Sequence, residues 1–571
     1  MEFEKIIPVS GLAVEQCGND LTVDGSVLAD FAEQAFKRLS FTFPQEHLES
    51  LLDVACDPTS SENDRLVAVK LLENAVIAAK GTLPLCQDTG VAQVFVWKDA
   101  GVCSILNTAD GTALFGSDTE ALTAGVGKAY KENNLRFSIN IPSSLFDEKN
   151  SATNLPAQVD IFGTNGASAG AAECTESACS GRVAGSGGME PSYRFLFCAK
   201  GGGSSNKTDF TCATKALLNP QSFERFLQTK IAALGTAACP PYTIAVVIGG
   251  LSPEQNLQTL KLATTGYWDA VETLNKIGGS IRWTDTAWGK RGGVRPLRCK
   301  DWEDRVLQIA SETGLGAQFG GSHLAAHARV FRLPRHGASC FASIGVSCNA
   351  HRNLVGYISR EGAFLQKNVS DPRLFFEKAV AYTARTAAHH GEPVAVELSS
   401  IDAARAVLSK YPVGQAFLFS GEILVARDAA HARWKALLEN GKPLPDYALH
   451  YPILYAGPAE TPKGAVIGSF GTTANRMDPY ADDLMSRGAA LITIAKGNRS
   501  ELWRTACKKY GAFYLGTIGG AAALIAEKHI TARKVLDYPD LGMEAVQLIS
   551  VKDLPVFLIT DDKGNDFYAS L

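Results

Sequence analysis

Two hydrophobic periods alternate along this chain, and the points where one gives way to the other constrain its fold. Stretches 27–39, 48–55 and 64–79 carry apolar residues at three- and four-residue spacing, which predicts helices with one buried face. The run Val91-Ala92-Gln93-Val94-Phe95-Val96-Trp97 then switches to β-branched and aromatic residues directly after a Gln-Asp-Thr-Gly turn, predicting a strand entered from a loop. A second β-branched run, 242–248, ends at Gly249-Gly250 and predicts a buried strand. Beyond residue 394, strand-like and helix-like segments alternate (415–419, 422–427, 429–440, 491–495, 501–510 and 513–516), as expected of an α/β unit.

These patterns predict a mixed α/β (α+β) chain of two principal domains. The first spans 1–365. A linker over 366–393 contains polar, helix-like sequence ending in His389-His390-Gly391-Glu392-Pro393, and a compact α/β domain fills 394–571. An active site between the two parts is expected, because domain seams are common places for pockets. Segment 164–191 shifts abruptly to Gly, Ala and Ser and reads as an exposed insertion. Its Cys174 and Cys179 lack the second ligand pair that a Cys-x4-Cys metal site normally has.

The formal net charge of -4 gives no reason to expect a polyanionic partner, so nucleic acid is disfavoured. Thirteen cysteines without a secretory signal point to a reducing compartment. The acidic start Met1-Glu2-Phe3-Glu4-Lys5 lacks transit-peptide character, which leaves the cytoplasm as the expected location. The terminal Ala569-Ser570-Leu571 ends in leucine like a peroxisomal address but lacks its basic middle residue. No apolar run approaches the length of a membrane span.

Three distant cysteines lie in stretches that read as loops. Cys86 sits in Leu83-Pro84-Leu85-Cys86-Gln87-Asp88-Thr89-Gly90, Cys239 in Ala237-Ala238-Cys239-Pro240-Pro241-Tyr242, and Cys348 in Gly345-Val346-Ser347-Cys348-Asn349-Ala350 after an irregular, Gly-rich stretch over 335–345. Three thiolates gathered from distant loops can hold an iron-sulfur cluster and leave one iron open as a Lewis acid. Composition does not single out these three, and a lone cysteine is more often a buried structural thiol.

Ordered motifs along nearly the whole chain carry a resemblance. They include Leu85-Cys86-Gln87-Asp88-Thr89-Gly90, Asn154-Leu155-Pro156-Ala157-Gln158, Ala199-Lys200-Gly201-Gly202-Gly203-Ser204-Ser205-Asn206-Lys207 and Ala495-Lys496-Gly497-Asn498-Arg499-Ser500. Segments 235–242 and 332–348, Tyr411-Pro412-Val413, Val425-Ala426-Arg427-Asp428 and Gly542-Met543-Glu544-Ala545 continue the series. Together they resemble the class I fumarate hydratases, the iron-sulfur fumarases. Segments 164–191 and 278–300 depart from that pattern.

The resemblance implies a hydro-lyase that interconverts S-malate and fumarate, a step of the tricarboxylic acid cycle. It also implies a homodimer with residues of both copies lining the site, and a 4Fe-4S cluster on Cys86, Cys239 and Cys348. Cys340 is the rival for the third ligand, and the family's Gly-Val-Ser-Cys favours Cys348. Dehydration removes hydroxide from C2 and a proton from C3, where the open iron polarises the hydroxyl. Charge then grows on the distal carboxylate, which cations and backbone N–H groups must stabilise.

The cations in matching motifs are Arg136, Arg427, Arg476 and Lys496, arginines being suited to bidentate grip of a carboxylate. Lys496 has two possible partners, the carboxylate nearer the cluster or a neighbouring acidic residue. Gly202 is the nominal backbone donor within a glycine-rich run that does not fit a P-loop. Gln87 is assigned to hydrogen-bond substrate. Asp88, two residues from Cys86, is placed to shuttle a proton or orient substrate, and His336, in the stretch leading to Cys348, to deliver a proton or orient a carboxylate. Thr472 is the candidate to abstract the C3 proton, a role that needs an activating partner.

A tartrate or methylfumarate hydratase is the nearest rival. Tartrate enzymes of this kind usually occur as two separate subunits, so the fused chain favours fumarase. A cluster-based iron or redox sensor is a further alternative, against which the full acid, base and carboxylate-binding set argues. A nicotinamide dehydrogenase is disfavoured further by the lack of a Gly-x-Gly-x-x-Gly turn after a strand with an acidic residue after the next strand.

Overall fold

A computed structural model describes residues 2–8, 21–106, 114–164, 192–269, 296–386, 392–472 and 475–571. The Gly/Ser-rich segment, apart from Thr164, and residues 278–295 lie outside the described residues, as do 387–391 of the expected linker.

The first expected helix runs Gly25–Phe41. Asp24 caps it, accepting the Ser26 N–H at 2.7 Å. Leu28, Phe31, Ala35 and Leu39 recur at helical spacing and are buried. They pack with Ala92, Val94 and Val96 of strand Val91–Asp99 and with Phe195 and Phe197 of strand Tyr193–Lys200. Helices Gln45–Cys56 and Glu62–Ala78 follow, the second opened by a capping box between Ser61 and Asp64.

Three sheets dominate the fold. In a six-stranded sheet, Tyr193–Lys200 lies between Asn353–Ser359 and Val91–Asp99, antiparallel to both. A five-stranded sheet is centred on Tyr242–Gly250, parallel to Ala325–Arg335 and antiparallel to Cys340–Ser347. Every residue of Tyr242–Gly250 is buried, as its continuous apolar run requires. The seven-stranded C-terminal sheet places Val394–Leu398, Ala416–Val425, Ile453–Leu454, Ile492–Ala495 and Phe513–Gly516 in parallel. Val546–Thr560 and Ile530–Asp537 complete it as antiparallel strands.

Two expectations are corrected. The strands expected over 415–419 and 422–427 are one strand, Ala416–Val425, whose register against Val546–Thr560 shifts between Phe419 and Gly421. Gly421 has φ +128°, and a Cβ there would lie 2.9 Å from Leu398 Cβ, so it marks a bulge and not a turn. The stretch 335–345 is not irregular. Only a short turn at 336–339 separates strands Ala325–Arg335 and Cys340–Ser347. Cys340, Ala342, Ile344 and Val346 alternate into one apolar cluster, and Gly345 allows the opposite face to pack on Leu260.

The apolar core runs across both parts of the chain. Leu48, Leu51, Leu71 and Leu72 from the N-terminal helices join Phe417, Phe419, Leu515 and Leu558 of the C-terminal sheet in one cluster. Helix Arg373–Thr386 packs on the same N-terminal helices. The loops at the strand ends therefore meet across a continuous, rigid seam.

Candidate active site

The Cys86 loop leaves helix Glu62–Ala78 and enters strand Val91–Asp99, and contacts from both sides fix its course. Asn74 Nδ2 donates to Leu85 O at 2.9 Å, and Ser469 Oγ from the C-terminal part donates to Pro84 O at 2.5 Å. Tyr130 Oη donates to the Thr89 and Gly90 carbonyls at 3.0 and 2.8 Å. Gly90 takes φ +87°, and a Cβ there would sit 2.9 Å from the Lys200 backbone, so only glycine brings this turn against the neighbouring strand.

That approach places Asp88 beside the glycine-rich run. Its Oδ2 accepts the Gly202 N–H at 2.8 Å, at the start of the short helix Gly202–Ser205. Burial would raise the Asp88 pKa, but Arg136, Arg352, the Gly202 N–H and Lys496 outweigh it and hold the carboxyl below its ordinary range. Asp88 is therefore an anion at neutral pH. Gln87 crosses the seam: a Cβ on Gly471, next to Thr472, would lie 2.0 Å from Gln87 Oε1.

The Cys239 and Cys348 loops are joined directly, the Asn349 N–H donating to Cys239 O at 3.0 Å. Asn349 Nδ2 and Gln318 Nε2 both donate to the carbonyls of Pro240 and Gly519, while the Gly519 N–H donates to Gln318 Oε1 at 2.7 Å. Cys239 itself takes φ 63°, a left-handed conformation that costs a non-glycine residue roughly 1–3 kcal/mol and is tolerated where the surroundings over-determine it. Lys496, just past strand Ile492–Ala495, brings its Nζ within 2.9 Å of Cys239 Sγ.

The three cysteines lie within electrostatic range of one another. Burial pushes the Cys86 thiol up to about 11; Arg352 opposes this, while Asp88, Cys348 and Cys239 add to it. Burial would lower the Lys496 pKa, but the Cys239, Cys86 and Cys348 sulfurs raise it. Among the described residues no three His, Cys, Asp or Glu side chains converge tightly enough for a single metal ion. A cluster holds its thiolates at separate corners, farther apart than ligands of one ion, and three cysteines on converging loops fit that demand. The lack of a Cβ at Gly519 fits it as well, since one would lie 2.5 Å from Cys239 Sγ.

Facing this sulfur-lined end is a group of cations. Arg427 is 3% exposed, and its Nη2 donates to Glu544 Oε1 at 2.6 Å, while its buried Nε has no partner among the described residues. Burial first, then Arg136, pulls its pKa down to about 10, with Glu544 and Asp428 resisting and Arg476 adding to the fall. Arg136, Arg427 and Arg476 are thus close enough to repel, an arrangement suited to a dianionic guest. Arg476 is more exposed and ion-pairs with Asp428 at 2.9 Å. Thr472 ends strand Phe470–Thr472 opposite Ala456, and its buried Oγ1 has no partner among the described residues.

His336 is the expected residue that the fold does not bring to this place. It lies in an exposed turn whose own backbone uses it, the Ala338 N–H donating to His336 Nδ1 at 3.2 Å. Strand Cys340–Ser347 separates that turn from Cys348, roughly 25 Å of extended chain. Cys340 lies at the same far end, paired with Ala213.

Sequence reasoning did not name Arg352, Asn349 or Gln318. Arg352, 3% exposed, acts electrostatically on both Cys86 and Asp88, and its Nε has no partner among the described residues. Its place four residues after Cys348 was the one available signal.

The family model described as Fumarate hydratase (Fumerase) matches residues 29–356, and that described as Fumarase C-terminus matches 370–571. The chain is 42% identical over 551 residues to Fumarate hydratase 2 of Leishmania major, covering 96% of this chain and 88% of that one. It is 42% identical over 553 residues to the aerobic class I fumarate hydratase of Escherichia coli K12, covering 96% and 91% respectively. A shorter match, 32% identical over 168 residues, covers 28% of this chain and 85% of a putative L(+)-tartrate dehydratase subunit beta of Methanocaldococcus jannaschii. This chain belongs to the class I fumarate hydratase family of hydro-lyases.

Proposed function

We propose that this protein reversibly dehydrates S-malate to fumarate with a site-differentiated 4Fe-4S cluster held by Cys86, Cys239 and Cys348. The observation that carries this reading is the meeting, at one seam, of three cysteine loops with ionised Asp88 and the Arg136, Arg427, Arg476 group. When bound, the cluster supplies a Lewis acid for the leaving hydroxyl. Arg427, Arg476 and Arg136 hold the carboxylates and fix the dianion in one orientation. The Gly202 N–H, Gln87 and Lys496 complete the polar lining. Thr472 Oγ1 is assigned to the C3 proton, which it takes only as the alkoxide left after its own proton has passed to an activating base, and Asp88, held as an anion, accepts and passes protons on the opposite side.

His336 reaches such a site only from a second copy of the chain. We therefore assign its part in proton delivery to a homodimer whose exposed turn enters the partner's site. The cytoplasm is the proposed location, and among the described residues no helix is long and apolar enough to cross a membrane.

The test is anaerobic purification with iron-sulfide reconstitution, followed by fumarate absorbance on adding S-malate and, separately, tartrate. Iron-dependent fumarate formation is expected. Turnover of tartrate alone would replace the substrate, and an intact cluster with neither activity would overturn the catalytic reading. Cys348→Ala is expected to lose the cluster and Cys340→Ala to keep it, read by iron content per chain.

A further inference from the structure

Next to the Cys348 loop, a cavity of about 300 Å³ lies between the two N-terminal sheets, beside helix Pro253–Ala263. Lys200, Lys261, Ser204, Ser205 and Thr208 give it its polar wall, and Leu260 is part of its apolar side. Among the described residues no Asp or Glu lines it. Lys200 is 4% exposed, and among the described residues its Nζ hydrogen-bonds only a neutral hydroxyl, Ser347 Oγ at 2.9 Å. Neither lysine has a carboxylate partner among the described residues.

Two ammonium groups converging on a water-sized to ligand-sized space without a counter-charge are costly to bury, and the cost is relieved by bringing in an anion. The surrounding hydroxyls supply donors to the oxygens of such a guest. We propose that this cavity binds a small oxyanion, a phosphate or a carboxylate, through Lys200 and Lys261, at a site separate from the catalytic centre. Burial pushes the Lys200 pKa down to about 8; Cys198 and Cys348 resist this, while Lys261 and Arg352 add to it. The apolar side leaves room for a short carbon skeleton but not for a nucleotide, given the volume.

The site has a direct line to the Cys348 loop. Ser347 Oγ, the hydroxyl that Lys200 holds, also meets His351 Nδ1 at 2.8 Å. His351 stacks on His47, whose Nε2 lies 2.7 Å from Asn349 O.

The experiment is calorimetric titration of the full-length reconstituted protein with inorganic phosphate and, in a parallel arm, with the monocarboxylate acetate, each against chloride at matched ionic strength. Lys261→Ala and Lys261→Gln are run beside the parent, with circular dichroism to establish that they fold. One saturable site is expected in the parent, weakened at least tenfold in both variants, with malate turnover in anion-free buffer unchanged. A Lys261-dependent event in the phosphate arm alone names phosphate as the guest, and in the acetate arm alone a carboxylate. Absence of saturable binding in both arms, or equal affinity in parent and variants, overturns the proposal.

Discussion

A buried hydroxyl without a hydrogen-bond partner costs about 1–3 kcal/mol, so Thr472, 5% exposed with Oγ1 unpartnered among the described residues, is retained against its effect on folding. Thr472→Val removes that hydroxyl at nearly unchanged shape. The melting temperature is expected to hold or rise while kcat falls by roughly 10²–10⁴-fold, the usual range for a lost proton-transfer group. Melting curves beside malate turnover check it, and a matched fall in both would make the hydroxyl structural. At Arg427 the lost feature is geometry, because Arg427→Lys keeps the charge but cannot hold Glu544 and a carboxylate in one planar fork. Loss of one charged hydrogen bond, about 1.5–3 kcal/mol, predicts a roughly 10- to 100-fold rise in KM for S-malate. Steady-state kinetics decide it, since an unchanged KM would remove Arg427 from substrate binding. The arginines and Thr472 are candidates that their motifs single out. Arg352 is not, because nothing in Asn349-Ala350-His351-Arg352 tells that the side chain turns towards Cys86 and Asp88.

At the scale of elements, the cap of helix Glu62–Ala78 doubles as a tertiary clamp. Asp64 is fully buried, and besides capping it accepts the N–H groups of Ala317 at 2.6 Å and Ser322 at 2.9 Å. His323 bridges Asp57 at 3.1 Å and Asp64 at 3.4 Å. Burial lowers the His323 pKa, but the two carboxylates outweigh it and raise it. Burial raises the Asp64 pKa, and His323 with the two N–H groups holds it down. The His323 contribution is complete below its unfolded value of about 6.5 and fades as pH climbs through the raised folded value. That of Asp64 is complete above about 3.9 and fades as pH falls through the depressed one. Both are present between these limits, so the melting-temperature gap between parent and His323→Ala is expected to be widest near pH 5–6. The gap should narrow above neutrality, and thermal melts across pH test it; a gap independent of pH would mean that the ion pairs contribute nothing. Helix spacing located this helix from sequence, but not the loop its cap would grip, because the 314–322 segment lies some 250 residues away.

Across the whole molecule, the seam that forms the site is also a folding interface. Asn74, 2% exposed, accepts the N–H groups of Ala523 and Leu524 at 2.8 and 3.0 Å while donating to Leu85 O. Asn74→Ala leaves those groups buried without a partner and frees the backbone next to Cys86. A loss of about 2–4 kcal/mol of stability is expected. Iron content per chain should fall as well, and denaturant melts with iron analysis read both; normal iron loading would show that the Cys86 loop is held by its other contacts. The sequence by itself determined the element types, because helix and strand periods are local and survive in windows of a few residues: Gly25–Phe41, Val91–Asp99, Tyr242–Gly250 and Glu501–Tyr510 all lie where apolar spacing predicts them. Only the tertiary structure decided which loop ends meet. It brought Cys348 to Cys239 and sent His336 to the far end of the strand that leads to Cys348, because that choice rests on strand pairings between segments about a hundred residues apart, such as Thr243 with Ser347, which no local pattern encodes.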